Sequence, residues 1–342
     1  MRPFTSYSKV ISLKRKNHLL VRVFLSVTLF CLGASLGKAD NDIENIQKFA
    51  REVAGKHGLD EEYLATIISS AQKQQSILDA FKRPATSRPW HYFRERYVTD
   101  YRIEEGVKFW SANQAVLDQA TEKYGVPQEI IVALIGVETN YGSFTGTHRV
   151  LDALFTLGFY GERRNKYFLS ELEQFILMAR DNQLDPLEVR GSFAGALGIA
   201  QFMPTSYREY AIDFDGDGRA DLEHSVADAV GSVANYLARF GWVAQGNIAS
   251  LVLIPEGNEK VETLVGSSKP RLVIKDLQDV GLSVPDIDLK EKIALISLAT
   301  IDGNEYWITF QNFYSITRYN PSQNYAMAVF QLSTEIKRRR GI

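Results

Sequence analysis

One carboxylate, Glu138, follows a strongly apolar segment directly before residues that break helices. Residues 130–137 read Ile-Ile-Val-Ala-Leu-Ile-Gly-Val, and residues 140–143 read Asn-Tyr-Gly-Ser. A segment that is apolar on every side predicts a helix buried in a core. Poor hydration and the partial negative charge of a helix C-terminus both raise the pKa of a carboxyl group placed there. Glu138 could therefore keep a proton near neutral pH, as cleavage of a glycosidic bond requires. The alternative is an ordinary solvated residue at a helix end.

Small residues dominate a second segment, residues 191–200, which reads Gly-Ser-Phe-Ala-Gly-Ala-Leu-Gly-Ile-Ala. Small side chains let a backbone approach another backbone or a ligand closely. Ser192 and Gln201 would supply neutral hydrogen-bonding groups that could face a sugar. Tight packing between helices, without a ligand, is the competing interpretation.

Acidic residues alternate with other residues between Asp213 and Asp221. With Asp213 as position 1, carboxylates occupy positions 1, 3, 5 and 9 and glycine occupies position 6, as in the first part of an EF-hand calcium loop. Position 12 is His224, which cannot supply the usual bidentate carboxylate, so Asp228 is the expected replacement. A metal-free turn is the alternative. The predicted ligands of a structural Ca²⁺ are Asp213, Asp215, Asp217, the carbonyl of Arg219, Asp221 and Asp228.

Several motifs occur together in an order and spacing that resemble the membrane-bound lytic murein transglycosylase B family. The resemblance covers most of residues 42–332. The matching motifs are Gly136-Val137-Glu138-Thr139, Leu151-Asp152-Ala153-Leu154, Gly191-Ser192-Phe193-Ala194-Gly195-Ala196, Gln201-Phe202-Met203-Pro204, Ser232-Val233-Ala234-Asn235-Tyr236 and Thr317-Arg318-Tyr319-Asn320.

This resemblance implies a lysozyme-like core and cleavage of the β-1,4 bond between N-acetylmuramic acid and N-acetylglucosamine in peptidoglycan, which leaves 1,6-anhydromuramyl ends. No cofactor is expected for the chemistry. Arg163 and Arg164 match a basic pair that could meet carboxylates of the peptide stem or the lactyl group. At Phe93 the chain departs from a family tyrosine. By position, the implied substrate contacts are Ser192, Gln201, Met203, Tyr236, Tyr319, Asn320 and Tyr325, together with Arg163 and Arg164.

The motif around Glu138 offers one carboxylate, whereas a conventional glycosidase uses two. Glu138 would then act first as general acid and afterwards as general base, with the muramoyl 6-hydroxyl as the final nucleophile. Asp152 fits a helix cap or structural acceptor instead. A hydrolytic muramidase remains an alternative, because the sequence does not decide whether water or the 6-hydroxyl attacks. A second alternative is a non-catalytic protein that binds murein as a scaffold.

Residues 1–39 have the composition of a signal peptide, with a basic start, a short apolar stretch and small residues before Asp40. An uncleaved membrane anchor is the alternative. The segment carries seven basic residues and no acid, so its removal changes the formal net charge from −2 to −9. That charge argues against nucleic-acid binding, and removal of Cys31, the only cysteine, excludes thiol chemistry. We expect an exported, periplasmic monomer that binds glycan strands, with wall-synthesis or remodelling proteins as further candidate partners.

The elements that must position these residues are mostly helical, so the predicted fold class is mainly α (α+β), with a small β-rich insertion. Residues 103–124 are expected to be helical, and two helices are expected over 42–78. Short strands are expected near 249–254, 264–265, 271–274 and 293–298, and Asp302-Gly303-Asn304 predicts a hairpin. The predicted organisation is a signal peptide (1–39), an N-terminal helical segment (40–120), the catalytic core with the acidic loop (121–243), a β-rich segment (244–300), and a C-terminal hairpin and helix packing back on the cleft (301–342).

Overall fold

The computed structural model describes residues 42–82, 88–255, 258–283 and 290–342. Helices predominate and strands are short, which confirms the predicted mainly helical class with a small β part. The predicted signal peptide, residues 1–39, lies outside the described residues. Within the described ranges, no helix is both long and apolar enough to cross a membrane.

The chain forms two compact units, Met1–Ser70 and Ala71–Ile342. In the first unit, residues 42–57 form α1 and Glu61–Ser69 form α2. Asp60 begins α2, because its carboxylate accepts a hydrogen bond of 2.7 Å from the amide of Tyr63. The sequence places two helices over 42–78, and a third begins there at Gln75, in the second unit.

The second unit contains the other helices of the described ranges. They are α3 (Gln75–Phe81), α4 (Trp90–Tyr97), α5 (Asp100–Ala112), α6 (Gln114–Tyr124), α7 (Gln128–Thr139), α8 (Val150–Tyr160), α9 (Asn165–Asp181), α10 (Pro204–Tyr210), α11 (Val226–Arg239), α12 (Ile274–Asp279), α13 (Gln311–Tyr319) and α14 (Gln323–Arg340).

Residues 103–124 are helical, as predicted, but Asn113 divides them into α5 and α6. The backbone of Asn113 leaves the helical region, with φ −118° and ψ 24°. Its side-chain amide donates to the carbonyl of Phe109, at 2.8 Å. Asparagine competes for backbone groups in this way at helix ends, and the apolar periodicity on either side concealed the break.

Helix α7 is the predicted core helix, and its burial is confirmed. Residues 130–137 are all buried, and α5, α6, α11 and α14 pack around them. Pro127 precedes the first turn, where the missing N–H of proline costs nothing. The apolar sequence on every face is therefore explained by helices packed on several sides.

A small antiparallel sheet forms most of the β part. Strands β3 (Ala249–Val252), β4 (Ala294–Ala299) and β5 (Asn304–Thr309) lie in the order β3-β5-β4, with the predicted hairpin joining β4 to β5. The pair β1 (His148–Arg149) and β2 (Arg190–Gly191) is separate. The predicted strands at 264–265 and 271–274 are wrong, because each makes only an isolated bridge and Ile274 opens α12. The predicted domain limits remain predictions.

The first prediction concerns Gly136, which lies on α7 against the ring of Tyr141. A Cβ atom at Gly136 would lie 2.6 Å from that ring, closer than any ordinary contact. Gly136→Ala should therefore lower the free energy of unfolding by about 1–3 kcal/mol, because the ring must move within a packed core. Urea denaturation followed by circular dichroism measures this change.

The matched control is Gly55→Ala in α1, where an added Cβ meets nothing within 4 Å. This change should leave stability unchanged or raise it by up to about 1 kcal/mol, because alanine favours helices. Equal stability of Gly136→Ala and the wild-type protein would contradict the packing described for Tyr141.

Candidate active site

Glu138 lies in the last turn of α7, where the chain leaves the core for the surface. The residues before it are buried, whereas Glu138 itself keeps partial exposure. Asn140, Tyr141 and Gly142 then adopt left-handed backbone conformations, with φ of 50°, 60° and 84°. This turn ends the helix directly beyond Glu138, as the sequence predicts.

The carboxyl group of Glu138 is held by a tyrosine from α14. The hydroxyl of Tyr325 donates a hydrogen bond to Oε1 of Glu138, at 2.5 Å. Burial raises the pKa of Glu138 from 4.5 to about 7, and the Tyr325 hydrogen bond partly opposes that rise because it favours the ionised form. The group can therefore hold or release a proton near neutral pH.

Two hydroxyl groups hold the backbone of residues 199–200 beside Glu138. The hydroxyl of Thr139 donates to the carbonyl of Ile199, at 2.9 Å, and the hydroxyl of Tyr319 donates to the carbonyl of Ala200. The charge of Glu138 contributes to the raised pKa of Tyr319, after burial, which places Tyr319 near the acid. The small-residue segment, residues 191–200, therefore meets α7 and α13 at Glu138.

Gln201 follows this segment in a left-handed conformation, with φ of 50°. Its amide nitrogen donates to the carbonyls of Thr145 and Gly198, each at 2.9 Å. The side-chain orientation is thus fixed by the backbone. The amide oxygen keeps its capacity to accept a hydrogen bond from a ligand. Met203 caps the N-terminus of α10 shortly afterwards and is partly exposed.

Ser192 lies where the backbone approaches itself closely. Its hydroxyl oxygen accepts from the amides of Ala194 and Ala196, at 3.3 and 3.0 Å, so its proton is left for another acceptor. A Cβ at Gly146 would lie 2.1 Å from the backbone of Gly191. The small residues therefore serve close backbone packing, which does not exclude a ligand at the exposed side.

Tyr236 and Tyr319 belong to an aromatic cluster rather than standing free in a groove. Their ring centroids are 4.8 Å apart, and each lies about 5.5 Å from Phe202. The hydroxyl of Tyr236 donates to the carbonyl of Arg318, at 2.6 Å. Tyr236 is only 6% exposed. Asn320 follows directly after α13 and is partly exposed.

Arg163 and Arg164 have their described contacts with residues other than Glu138. Arg163 lines a cavity of about 260 Å³ with Phe81 and Tyr160, and the lining does not include Glu138. The guanidinium of Arg164 lies 4.2 Å from the ring centre of Tyr167. Phe93, where the family tyrosine is missing, is buried in α4.

Asp152 is a structural acceptor, as the sequence predicts. It lies buried in the first turn of α8 and accepts a hydrogen bond of 2.8 Å from the amide of Gln72. Its carboxylate also forms an ion pair with Arg149, at 2.5 Å. The carboxylate is occupied by these partners and is not available for acid–base chemistry.

The acidic loop brings Asp213, Asp215 and Asp217 together, with ligand atoms of all three within 4.8 Å of one another. These side chains are exposed and offer the oxygen donors that Ca²⁺ prefers. Asp228 is fully buried, and its carboxylate accepts hydrogen bonds from the amides of Phe214, Asp215 and Asp221. The hydrogen bonds that Asp228 accepts therefore fix the backbone of the acidic loop.

The other predicted carboxylate ligands, Asp221 and Asp228, are not part of this cluster of three. Asp221 pairs with the guanidinium of Arg219, at 2.5 Å, and accepts from the amide of His224, at 2.9 Å. The hydroxyl of Ser225, which caps α11, donates to Asp215 at 2.7 Å. The loop is therefore attached directly to α11, the helix that carries Tyr236.

Thr139 and Arg102 are site residues that the sequence analysis did not identify. Thr139 is buried, and a threonine directly after Glu138 could have been recognised as a residue that bonds backbone carbonyls at helix ends. The guanidinium of Arg102 donates to the carbonyl of Gly136. No local pattern marks Arg102, since only the packing of α5 on α7 brings it there.

Three comparisons with known proteins identify lytic transglycosylases as relatives of this chain. Residues 41–334 match the family model described as "Transglycosylase SLT domain". The chain is 42% identical over 303 residues to the membrane-bound lytic murein transglycosylase B of Escherichia coli (strain K12), covering 85% of this chain and 82% of that protein.

Two solved structures have the same fold. The soluble lytic transglycosylase SltB1 of Pseudomonas aeruginosa is 42% identical, with a TM-score of 0.81 over 87% of this chain and 100% of that one. The Escherichia coli lytic transglycosylase Slt35, solved in complex with calcium, is also 42% identical, with a TM-score of 0.78 over 86% of this chain and 93% of that one. The predicted lysozyme-like fold is thereby confirmed.

The second prediction concerns stability and pH. Because the folded state raises the pKa of Glu138 above its unfolded value, the contribution of this group to stability is fully present below pH 4.5 and is lost as pH rises through about 7. Glu138→Gln removes the ionisation, so the variant should gain about 2–3 kcal/mol relative to the wild-type protein between pH 4.5 and pH 8. Urea denaturation at several pH values measures the difference.

Glu122→Gln is the matched control, because Glu122 is exposed on α6. Its stability relative to the wild-type protein should not change over the same pH range. If the stability difference between Glu138→Gln and the wild-type protein were also independent of pH, the carboxyl group of Glu138 would titrate as it does in water.

Proposed function

Since the chain belongs to the transglycosylase SLT domain family and is a lytic transglycosylase that acts on peptidoglycan, we propose that Glu138 is its single acid–base catalyst. The bond cleaved is the β-1,4 bond between N-acetylmuramic acid and N-acetylglucosamine, and the product carries a 1,6-anhydromuramyl end. One observation carries the proposal. Glu138 is a partly exposed residue whose carboxyl group has a pKa of about 7, because burial disfavours its charged form.

In the first step, protonated Glu138 gives its proton to the oxygen that links the two sugars. The bond from that oxygen to the anomeric carbon breaks, and the bonding pair leaves with the oxygen. The N-acetyl group of the muramoyl residue stabilises the positive charge at the anomeric carbon. The ionised carboxylate then keeps the hydrogen bond from Tyr325, which favours the charged form.

In the second step, the carboxylate of Glu138 takes the proton of the muramoyl 6-hydroxyl. The 6-oxygen forms a bond to the anomeric carbon and closes the 1,6-anhydro ring, which restores protonated Glu138. One carboxyl group thus serves twice and no water is consumed. No second carboxylate of the described residues contributes to the shifted pKa of Glu138, in keeping with this single-acid scheme.

For substrate binding, we propose Ser192, Gln201 and Asn320 as hydrogen-bonding contacts. The free amide oxygen of Gln201 and the hydroxyl proton of Ser192 support this role. Tyr319 and Tyr325 would present their ring faces or edges, since both hydroxyls already donate to protein atoms. The other proposed contacts are Met203, Tyr236, Arg163 and Arg164.

We also propose that the acidic loop binds a structural Ca²⁺. Asp213, Asp215 and Asp217 would provide the first carboxylate ligands, and the Arg219 carbonyl, Asp221 and Asp228 are the remaining candidates. The calcium complex of the related Slt35 supports the assignment. The ion would fix the loop on α11, whose Gly231 lies so close to Phe214 that a Cβ there would approach that ring within 2.4 Å. No cofactor enters the chemistry.

An exported, periplasmic location would bring the protein to its substrate. We propose it on the basis of the basic and apolar composition of residues 1–39, with cleavage before Asp40 or retention as an anchor. Within the periplasm the protein would act as a monomer on glycan strands. Wall-synthesis or remodelling proteins are its candidate partners.

The third prediction tests the catalyst. Purified sacculi digested with the wild-type protein should release fragments with 1,6-anhydromuramyl ends, and Glu138→Gln should lower the rate by at least about 10³-fold, because glutamine cannot transfer the proton. Mass spectrometry of the released fragments measures both the amount and the type of end. Activity of the wild-type protein should fall above pH 7, where Glu138 loses its proton.

Other results would support the alternative functions. Reducing ends from the wild-type protein would identify a hydrolytic muramidase, and binding without any product would identify a murein-binding scaffold. Equal product from the wild-type protein and Glu138→Gln would remove Glu138 from the mechanism. Glu122→Gln controls for loss of a carboxylate elsewhere and should retain full activity.

The fourth prediction tests calcium. Chelation with EGTA should lower the Tm of the wild-type protein by roughly 5 °C, because a ligand that binds only the folded state stabilises it. Addition of Ca²⁺ should restore the Tm. Asp213→Asn keeps an acceptor oxygen for the loop amides but loses the charge, so its Tm should barely respond to chelation. A wild-type Tm that is insensitive to chelator and Ca²⁺ would leave the loop as an unmetallated turn.

A further inference from the structure

An open cavity of about 660 Å³ lies outside the group of residues assigned to catalysis. Its lining comes from the end of β4, the turn at Ser267 and Ser268, the start of α4 and the junction of α13 with α14. Glu138 and Tyr325 are not among the lining residues. The mechanism above gives this cavity no role.

One wall of the cavity is the unpaired edge of β4. Alternate residues of a strand direct their backbone groups to opposite edges. Ile293 and Leu295 bond outward, to Leu272 and Gly266, so Ser297 and Ala299 also face outward, away from β5. Among the described residues, no backbone partner covers the outward N–H and C=O groups of Ser297 and Ala299. An extended peptide can pair with such an edge.

The opposite wall offers groups that attract a carboxylate. Gln323 and Asn324 open the 18-residue helix α14, and their backbone N–H groups have no hydrogen-bond partner within the described ranges. The side chain of Arg318 is exposed and lies over the rings of Tyr314 and Phe240. No carboxylate of the described chain pairs with this guanidinium. A helix N-terminus together with a guanidinium favours an anion.

The remaining lining combines neutral polar groups with the apolar side chains of Pro89, Leu298 and Pro321 and the ring of Trp90. Trp90 is 1% exposed, and its indole N–H has no hydrogen-bond partner in the part of the chain that the structure describes. A buried donor without a partner commonly bonds a water molecule or a ligand. Ser267, Ser268 and Ser322 add hydroxyl groups. These hydroxyl groups and the indole N–H can form hydrogen bonds with the amide groups of a peptide.

We propose that this cavity binds the peptide stem of peptidoglycan as an added strand along β4, with a stem carboxylate at Arg318 and the N-terminus of α14. The inference rests on the proposed function, because it assigns the peptide part of the same substrate. Its position supports it, since the lining residues Arg318 and Ser322 flank Tyr319 and Asn320, which are proposed to contact the glycan. The stem bound here would hold the glycan strand at Glu138.

The test compares two forms of one substrate, glycan strands that carry their stems and strands from which an amidase has removed them. Arg318→Gln should raise KM for the stem-bearing strands by about fivefold to tenfold, as expected for loss of a charge-assisted hydrogen bond at a partly exposed site, and leave kcat unchanged. On the stripped strands both constants should equal those of the wild-type protein.

A pair of substitutions at Ser297 tests the strand pairing itself. Ser297→Pro removes the outward N–H, which an edge strand tolerates, whereas Ser297→Ala removes only the hydroxyl that bonds Tyr306. The proline variant should raise KM for the stem-bearing strands about threefold to tenfold, and the alanine variant should not. Circular dichroism and Tm identify a proline variant that has not folded. In that case the kinetics of Arg318→Gln decide whether the proposal holds.

A direct binding measurement separates the possible occupants. Glu138→Gln, which should not turn over substrate, is titrated calorimetrically with a synthetic stem pentapeptide that ends in a carboxylate or in a carboxamide. The carboxylate form should bind at least about fivefold more tightly, and Arg318→Gln should abolish the difference. Tighter binding of an all-L peptide of equal length would identify a protein C-terminus as the occupant and overturn the proposal.

Two kinetic results would also overturn the proposal. An equal effect of Arg318→Gln on stem-bearing and stripped strands would show that the cavity contacts the glycan, and no effect on either would show that it binds neither part. Both results leave the catalytic assignment intact if the wild-type protein cleaves stripped strands and Glu138→Gln does not. If the catalytic assignment were wrong, the wild-type protein and Glu138→Gln would cleave the strands equally.

Discussion

The proposed active site depends on one constraint, a carboxyl group that is buried enough to keep its proton near neutral pH. Burial raises the pKa of Glu138 to about 7, which costs the folded state up to about 3 kcal/mol when the group ionises. The apolar residues of α7 offset this cost, since each buried aliphatic side chain contributes about 1.5–3 kcal/mol. A helix that is buried on all sides can therefore maintain this acid at its end.

Neutral hydrogen bonds, rather than charges, organise the surroundings of Glu138. The hydroxyls of Thr139, Tyr319 and Tyr325 join α7, the small-residue segment, α13 and α14. A cation in direct contact would lower the pKa and remove the proton that the reaction needs. Arg102 is nearby, but its guanidinium bonds a backbone carbonyl and is not among the groups that shift the pKa of Glu138.

The sequence was sufficient for features that depend on local pattern. The buried helix, its end after Glu138, the acidic loop and the β4–β5 hairpin each follow from periodicity or from turn residues. It was not sufficient where distant contacts decide. The apolar pattern around Asn113 hid a helix break, and nothing local showed that the hydroxyl of Tyr236 would be used by the carbonyl of Arg318. The role of Thr139 also depends on a partner 60 residues away.

The junction of α13 and α14 links the proposed glycan contacts to the proposed stem-binding cavity. The hydroxyl of Ser322 accepts from the amide of Tyr325, and so fixes the first turn of the helix that brings Tyr325 to Glu138. The side chains of Gln323 and Asn324 donate to the carbonyls of Gly266 and Arg88, which attaches this turn to the β part and to the chain before α4. A displacement of either attachment would move the hydroxyl that bonds the acid. Because hydrogen bonding to a carboxylate weakens steeply with distance and angle, the position of this first turn controls the strength of the hydrogen bond between Tyr325 and Glu138.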